Sequence, residues 1–305
     1  MRIFFTFILS LTAIGHLNAH QNRLQLNLEE GKVYKQAMIS SSTIEQEYMG
    51  EKVDIQMTLS GVTSYMVKQV HNSYYDIEMQ YDRLSMIMGL PTGEMSFDSE
   101  SDDENDIFSE IMSLMIGKSV EIKMARTGKI LEVKNVEVLF DSILDNFPML
   151  TEEQIQPIKD QLADAYGADA FKGNIEMVTA IFPDTPVAIG ESWSIDTELK
   201  SGFRAEMNTV YTFKQKNADH ILITGSSAIK TINLADFVEV NGNPTKYNLT
   251  GTMVSTLKID KNTGWILEAK IDQNLNGDVS IKPLGSPEAM TIPMIMKNKM
   301  TITND

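Results

Sequence analysis

A period of two runs through most of this chain. Leu24, Leu26 and Leu28 alternate with polar residues, and so do Val53, Ile55, Met57 and Leu59. Tyr75, Ile77, Met79 and Tyr81 alternate with Asp76, Glu78 and Gln80. Later, Ala205, Met207, Thr209, Tyr211 and Phe213 keep the same rhythm, as do Met290, Ile292, Met294, Met296, Met300 and Ile302. Neighbouring side chains on a strand point to opposite faces, so each run can bury one face as part of an antiparallel sheet. One stretch, 136–182, changes to helical spacing. Thr151-Glu152-Glu153-Gln154 matches a capping box, with Ile155, Ile158, Leu162 and Ala165 behind it. Gly167 is placed to stop that helix in the left-handed conformation. Asp169 is placed to cap a second one bearing Phe171, Ile175, Val178 and Phe182. The expected architecture is α+β: a large, curved, half-barrel-like antiparallel sheet made of two similar β halves, 24–135 and 187–303. The helical insert, 136–182, lies on its concave side.

Turns punctuate the strands at Met49-Gly50-Glu51-Lys52, His71-Asn72-Ser73, Thr127-Gly128, Asn217-Ala218-Asp219 and 260–264. Gly61 interrupts the second strand. After Tyr81 the apolar phase moves to Leu84, Met86 and Met88. A period of two cannot change phase without an extra residue, so a β-bulge is predicted near Asp82 and Arg83. The halves also resemble each other. Residues 127–134 and 263–270 agree at six of eight positions, and Gly31-x-x-Tyr34 matches Gly190-x-x-Trp193.

The first residues read as an export signal, 1–19. Arg2 precedes an apolar run over 3–14, and Leu17-Asn18-Ala19 ends in the small residue that cleavage needs. The mature chain, 20–305, is expected to be one domain, exported to the periplasm or outside the cell and soluble once the signal is removed. There is no Cys, which excludes disulfides, thiol catalysis, zinc–thiolate sites and a lipid-modified Cys anchor. A net charge of −16 is unsuited to nucleic acid or an anionic membrane surface.

Five motifs carry a resemblance. They are Gly31-x-x-Tyr34, Gly117-Lys118-Ser119, Thr127-Gly128-x-Ile130-Leu131-Glu132, Phe182-Pro183-x-x-Pro186-Val187-x-x-Gly190-x-Ser192-Trp193 and Thr263-Gly264-Trp265. Together they resemble an uncharacterised family of exported Gram-negative bacterial proteins, known as a domain of unknown function. More distantly, long hairpins around a helical insert are similar in layout to the half-barrel of periplasmic lipoprotein-localisation carriers. That resemblance implies a curved sheet and a helical lid that hold acyl chains. It is one of architecture, and fold does not fix function.

Catalysis finds little support, and the chain is expected not to be an enzyme and to need no cofactor or metal. His71 and His220 fall in turns without partners at ligand spacing. Ser255 and Lys258 match Ser-x-x-Lys, but on a strand they face opposite ways. The acidic run Asp98, Glu100, Asp102, Asp103, Glu104, Asp106 lacks the Gly and Glu of a calcium loop and reads as solvated. Asp260-x-Asn262-x-Gly264 reads as a turn.

Methionine is the compositional outlier, at 20 residues. Its flexible, polarizable side chain suits both irregular cores and adaptable apolar binding surfaces. The candidate ligand-binding face is Met207, Tyr211, Met253, Leu257, Trp265, Met294 and Met296, all on predicted inward positions of the second half. Two functions follow. One is a carrier for an apolar small molecule or lipid. The other is an envelope structural or protein-interaction module with a closed core.

Overall fold

The computed structural model describes residues 21–48, 51–103, 106–144, 156, 159, 167–201, 203–232, 234, 237–240, 243–283 and 288–304. The expected export signal, the capping box at 151–154 and the turn residues 49 and 50 lie outside them. The first half contains β1 (Val33–Tyr48), β2 (Glu51–Val70), β3 (Tyr74–Leu90), β4 (Gly93–Asp98), β5 (Ser119–Ala125) and β6 (Ile130–Lys134), with helix α1 (Ile107–Met115) before β5. Helices α2 (Glu137–Leu144) and α3 (Ala168–Thr179) follow. The second half contains β7 (Ser192–Ser201), β8 (Phe203–Lys216), β9 (His220–Thr231), β10 (Val238–Val240), β11 (Asn243–Asp260) and β12 (Ile266–Ile281), and β13 (Met290–Thr303) follows.

All these strands join one antiparallel sheet in the order β6-β5-β3-β2-β1-β13-β12-β11-β9-β8-β7, with β4 on β3 and β10 on β11. Each half contributes its strands in the same sense. The Thr-Gly turn joins β5 to β6 in one and β11 to β12 in the other. Tyr34 pairs across to Tyr65, and Trp193 to Tyr211, at matching positions. The backbone N–H of Gly31 reaches Val67 O at 2.8 Å, and that of Gly190 reaches Phe213 O at 2.7 Å. The internal similarity is therefore a similarity of topology as well as of short motifs. The two halves meet at two seams. At one, β13 bonds to β1 and β12 along its length. At the other, α3 packs against both edge strands, β6 and β7, so the sheet is curled until its edges face each other across a helix.

Helix α3 is tied down at both ends. Thr179 Oγ1 donates to Gly128 O (2.8 Å), the Ile130 N–H donates to Glu176 Oε1 (2.7 Å), and Lys200 pairs with Asp169 (2.9 Å). Phe171 and Ile175 face the core. Two expectations about this helix are corrected. Gly167, not Asp169, holds the N-cap position, and its φ of −66° is not left-handed. Asp169 sits in the first turn, where its charge suits the helix dipole and meets Lys200.

Leu24, Leu26 and Leu28 are buried as expected, but their segment is not a strand of the sheet. Its N–H groups go to different elements. Asn22 bonds to Val187 O, Leu26 to Arg126 O and Asn27 to Thr263 O, while Leu28 takes the Tyr75 hydroxyl. The segment crosses the end of the sheet where both Thr-Gly turns lie and seals it. Strand β2 runs unbroken through Gly61. The bulge falls where the phase change placed it. Val62 pairs with Arg83 and Thr63 with Tyr81, leaving Asp82 as the extra residue. Asp82 Oδ2 accepts from Ser64 Oγ (2.5 Å) and from Lys35 Nζ (2.8 Å).

Candidate functional site

Cross-strand register shows which side chains share the inward face. One row runs Met95, Met88, Met57, Ser42, Asn298, Gln273, Met253, Ser227, Thr209. One step towards the unsealed end, another runs Ile55, Ile44, Met296, Leu275, Gly251, Ile229, Met207. The first row is polar in its middle. Ser40 and Ser42 donate to Asn298 Oδ1 at 2.8 and 3.1 Å, and Thr209 and Ser227 bond at 2.8 Å. Hydrogen bonding within the sheet removes most of the cost of burying these groups. Among the described residues, Ser255 Oγ and Gln36 Nε2 are buried without a partner.

The candidate face falls into two clusters. Met207, Tyr211, Met253, Leu257 and Trp265 are buried in the main core. Trp265 packs on Tyr34 and Tyr65, with ring centroids 5.1 and 5.3 Å away. The space beside it is about 10 Å³, so that region is filled. Burial pushes the Tyr211 hydroxyl up to about 12, which keeps it neutral at physiological pH. Met294 belongs to a separate cluster with Leu249 and Val279 towards the unsealed end, and Met296 borders both clusters. Ile44, Phe203, Tyr247 and Ile281 are half-buried around it.

The first half supplies further inward residues, which the alternation put on one strand face but which were not part of the candidate face. Ile55, Met57, Leu59, Met86 and Met88 are half-buried, and Met95 is 40% exposed. The signal for them was available, since the bulge at Asp82 keeps Met86 and Met88 on the face of Ile77 and Met79. They form an apolar, Met-rich strip that continues through Ile44 to Met296.

Larger spaces are mostly charged. A groove of about 780 Å³ along α3, β7, β8 and β9 is walled by Lys129, Lys172, Lys200 and Lys230 and by five carboxylates, and reaches only Met207 of the candidate face. A groove of about 400 Å³ over β3, β5 and β6 is likewise balanced by the pairs Lys68–Glu78 and Lys123–Glu132. At the unsealed end, a cleft of about 250 Å³ lies between Phe203, Phe237 and Tyr247. His71 bonds to Asp76 (2.7 Å) and His220 to Asp219 (2.8 Å), each in a turn region. In the acidic run, Asp98 and Glu100 pair with Arg83 and Asp106 caps α1. Asp260 accepts from the Asn262 and Thr263 N–H groups, as a turn residue does. Among the described residues, no helix is long and apolar enough to cross a membrane.

Among solved structures, one concerning lipid–protein interactions in lipovitellin matches with a TM-score of 0.50 at 10% identity. It covers 92% of this chain and 25% of lipovitellin, so this chain spans about a quarter of that one. The likeness is one of fold. An outer-membrane channel from Pseudomonas putida F1 covers 92% of this chain and 98% of its own, at a TM-score of 0.26 and 8% identity. The β domain of the Bordetella autotransporter BrkA covers 90% and 99%, at a TM-score of 0.24 and 7% identity. Neither of these scores carries an argument. A search of the curated proteins finds no match. A family model matches residues 72–266, and the chain belongs to that family, a family of unknown function (DUF6263).

Proposed function

We propose that this protein is an exported, non-catalytic carrier for an apolar ligand with a long chain, such as a lipid or acyl chain. The observation that carries the reading is the half-buried strip Ile55, Met57, Leu59, Met86 and Met88. These residues share a face with a dry core yet are themselves incompletely covered. Exposed apolar surface of this kind costs about 25 cal/mol per Å² and is recovered when a ligand covers it. Methionine can repack around chains of differing shape. The fold likeness to lipovitellin, a structure that concerns lipid–protein interactions, supports the same reading. Export rests on the charge, length and cleavage-site order of the first residues.

A second reading, an interaction module with a closed core, is favoured by the filled space around Trp265. A titration of the mature protein with a fluorescent fatty acid separates the two. The carrier gives saturable binding that Met88→Glu weakens about tenfold or more, because a buried carboxylate would replace a chain contact. Met253→Trp, which overfills the neighbouring core, lowers uptake as well. No saturable binding by the wild type, with a large stability loss in Met253→Ala, favours the module.

A further inference from the structure

We propose that the cleft between Phe203, Phe237 and Tyr247 takes the anionic headgroup of a single-chain amphiphile, held by Arg204 and Lys246. The inference rests on the apolar-ligand reading and adds the charge of the ligand and the place of its head. Arg204 lines the cleft; Lys246 is outside the lining but places its Nζ 5.2 Å from the centroid of the Phe237 ring, which is part of it. No carboxylate lines this cleft among the described residues, and neither cation has an ion pair with them. The nearby acids Asp169 and Glu206 are engaged by Lys200 and Lys230. The two larger charged grooves differ, since their lysines face carboxylates on the same walls. In a chain of net charge −16, two cations that have no ion pair among the described residues mark a place where an anion is accepted rather than repelled.

The aromatic walls would otherwise invite a cationic ligand. Here Lys246 already covers the Phe237 ring, and a second positive charge would be repelled by both side chains. The volume, about 250 Å³, is below the roughly 300–1,000 Å³ of pockets that enclose a whole small molecule. It therefore suits one end of a longer ligand. The rest of that ligand has a path, because Phe203 and Tyr247 line the cleft and also pack against Leu249, Val279 and Met294.

The test is calorimetric titration of the mature protein with dodecanoate, dodecyl phosphate and dodecanol, each below its aggregation concentration. The wild type should bind one or both anions about tenfold tighter than the alcohol, the scale of a charge-assisted contact at a partly exposed rim. Which anion leads distinguishes a carboxylate from a phosphate head. The Arg204→Gln/Lys246→Gln double variant should lose that preference while binding dodecanol as before, and Arg204→Lys should keep most of it. Equal binding of anion and alcohol by the wild type, or a preference that survives in the double variant, overturns the headgroup site and leaves the apolar-ligand reading standing. A double variant that loses all three ligands equally also overturns it. Failure of the wild type to bind any of them removes both.

Discussion

Along a single inward row of the sheet, Met95 in the first half is 40% exposed and Met57 and Met88 are half-buried, while Met253 in the second half is 2% exposed. The strands are built from the same alternation and share one topology. What differs is how neighbours fold over the row. In the second half, Gly225 and Gly251 leave gaps that large side chains fill. A Cβ on Gly225 would lie 2.9 Å from the Tyr211 ring, and one on Gly251 would lie 2.7 Å from a Leu275 methyl. The first half instead carries an insertion at its far edge. Strand β4 and helix α1 widen the sheet there, and Phe108 remains 59% exposed even with its ring 4.9 Å from Phe97. A repeated unit that is dry in one copy and partly open in the other has freed one copy from the sole task of making a core. That asymmetry motivates placing a ligand on the first half's strip.

The largest expected effects test whether the halves are truly alike where they are sealed. Gly128 and Gly264 occupy equivalent Thr-Gly turns with φ of +83° and +72°. A Cβ on Gly128 would lie 1.7 Å from Thr179 O, and one on Gly264 would lie 2.4 Å from Gln25 O. Ala at either position adds left-handed strain to a backbone collision and should cost more than about 4 kcal/mol. Gly31 and Gly190 are also left-handed, at +76° and +91°, but have open space around the missing Cβ. Ala there should cost only about 1–2 kcal/mol of strain. Urea unfolding of the four variants measures this. If the costs do not group by equivalent position, the topological repeat has no energetic counterpart.

The next test addresses the open and dry regions. Met253→Ala empties a fully packed site and should cost about 2–5 kcal/mol, while Met57→Ala, already half-exposed, should cost less than about 1 kcal/mol. Equal costs would mean that the strip is core after all, and the carrier would lose its main support.

Much of this arrangement was legible in the sequence because strand periodicity is local. The phase change after Tyr81 located the bulge at Asp82, and the matching motifs anticipated two similar halves. The seams were not legible. That β13 joins β1 to β12, and that α3 joins β6 to β7, depends on contacts far apart in sequence. The same holds for Leu24, Leu26 and Leu28. Their alternation reads as a strand, but their N–H groups find partners in several different elements. In the candidate face, periodicity correctly marked Met207 and Met253 as inward. It could not show which inward residues are covered, so the half-exposed Met57, Met86 and Met88 were missed.

The smallest effect concerns the two seams. The β13 seam is held by backbone ladders on both sides, whereas the α3 seam depends on side chains. Chief among them is Glu176, buried and accepting the Ile130 N–H. Burial holds its carboxyl above the ordinary carboxylate range, against the opposing influence of that hydrogen bond and of Lys172 and Lys129. The folded state therefore binds more protons than the unfolded chain between the ordinary value and the raised one, so stability falls as pH rises through that window. Glu176→Gln keeps an oxygen to accept from Ile130 and cannot ionise. At pH 7 the variant should be more stable than the wild type by about 1 kcal/mol, the scale of desolvating one buried polar group. The gain should fade as the pH is lowered below the ordinary carboxylate value, where both side chains are neutral. Thermal melts across pH 4–8 read this directly. A variant less stable than the wild type at pH 7 would mean that the carboxylate charge itself holds the helix to the edge of β6. The α3 seam would then be fastened by charge, and its contrast with the β13 ladder would be sharper.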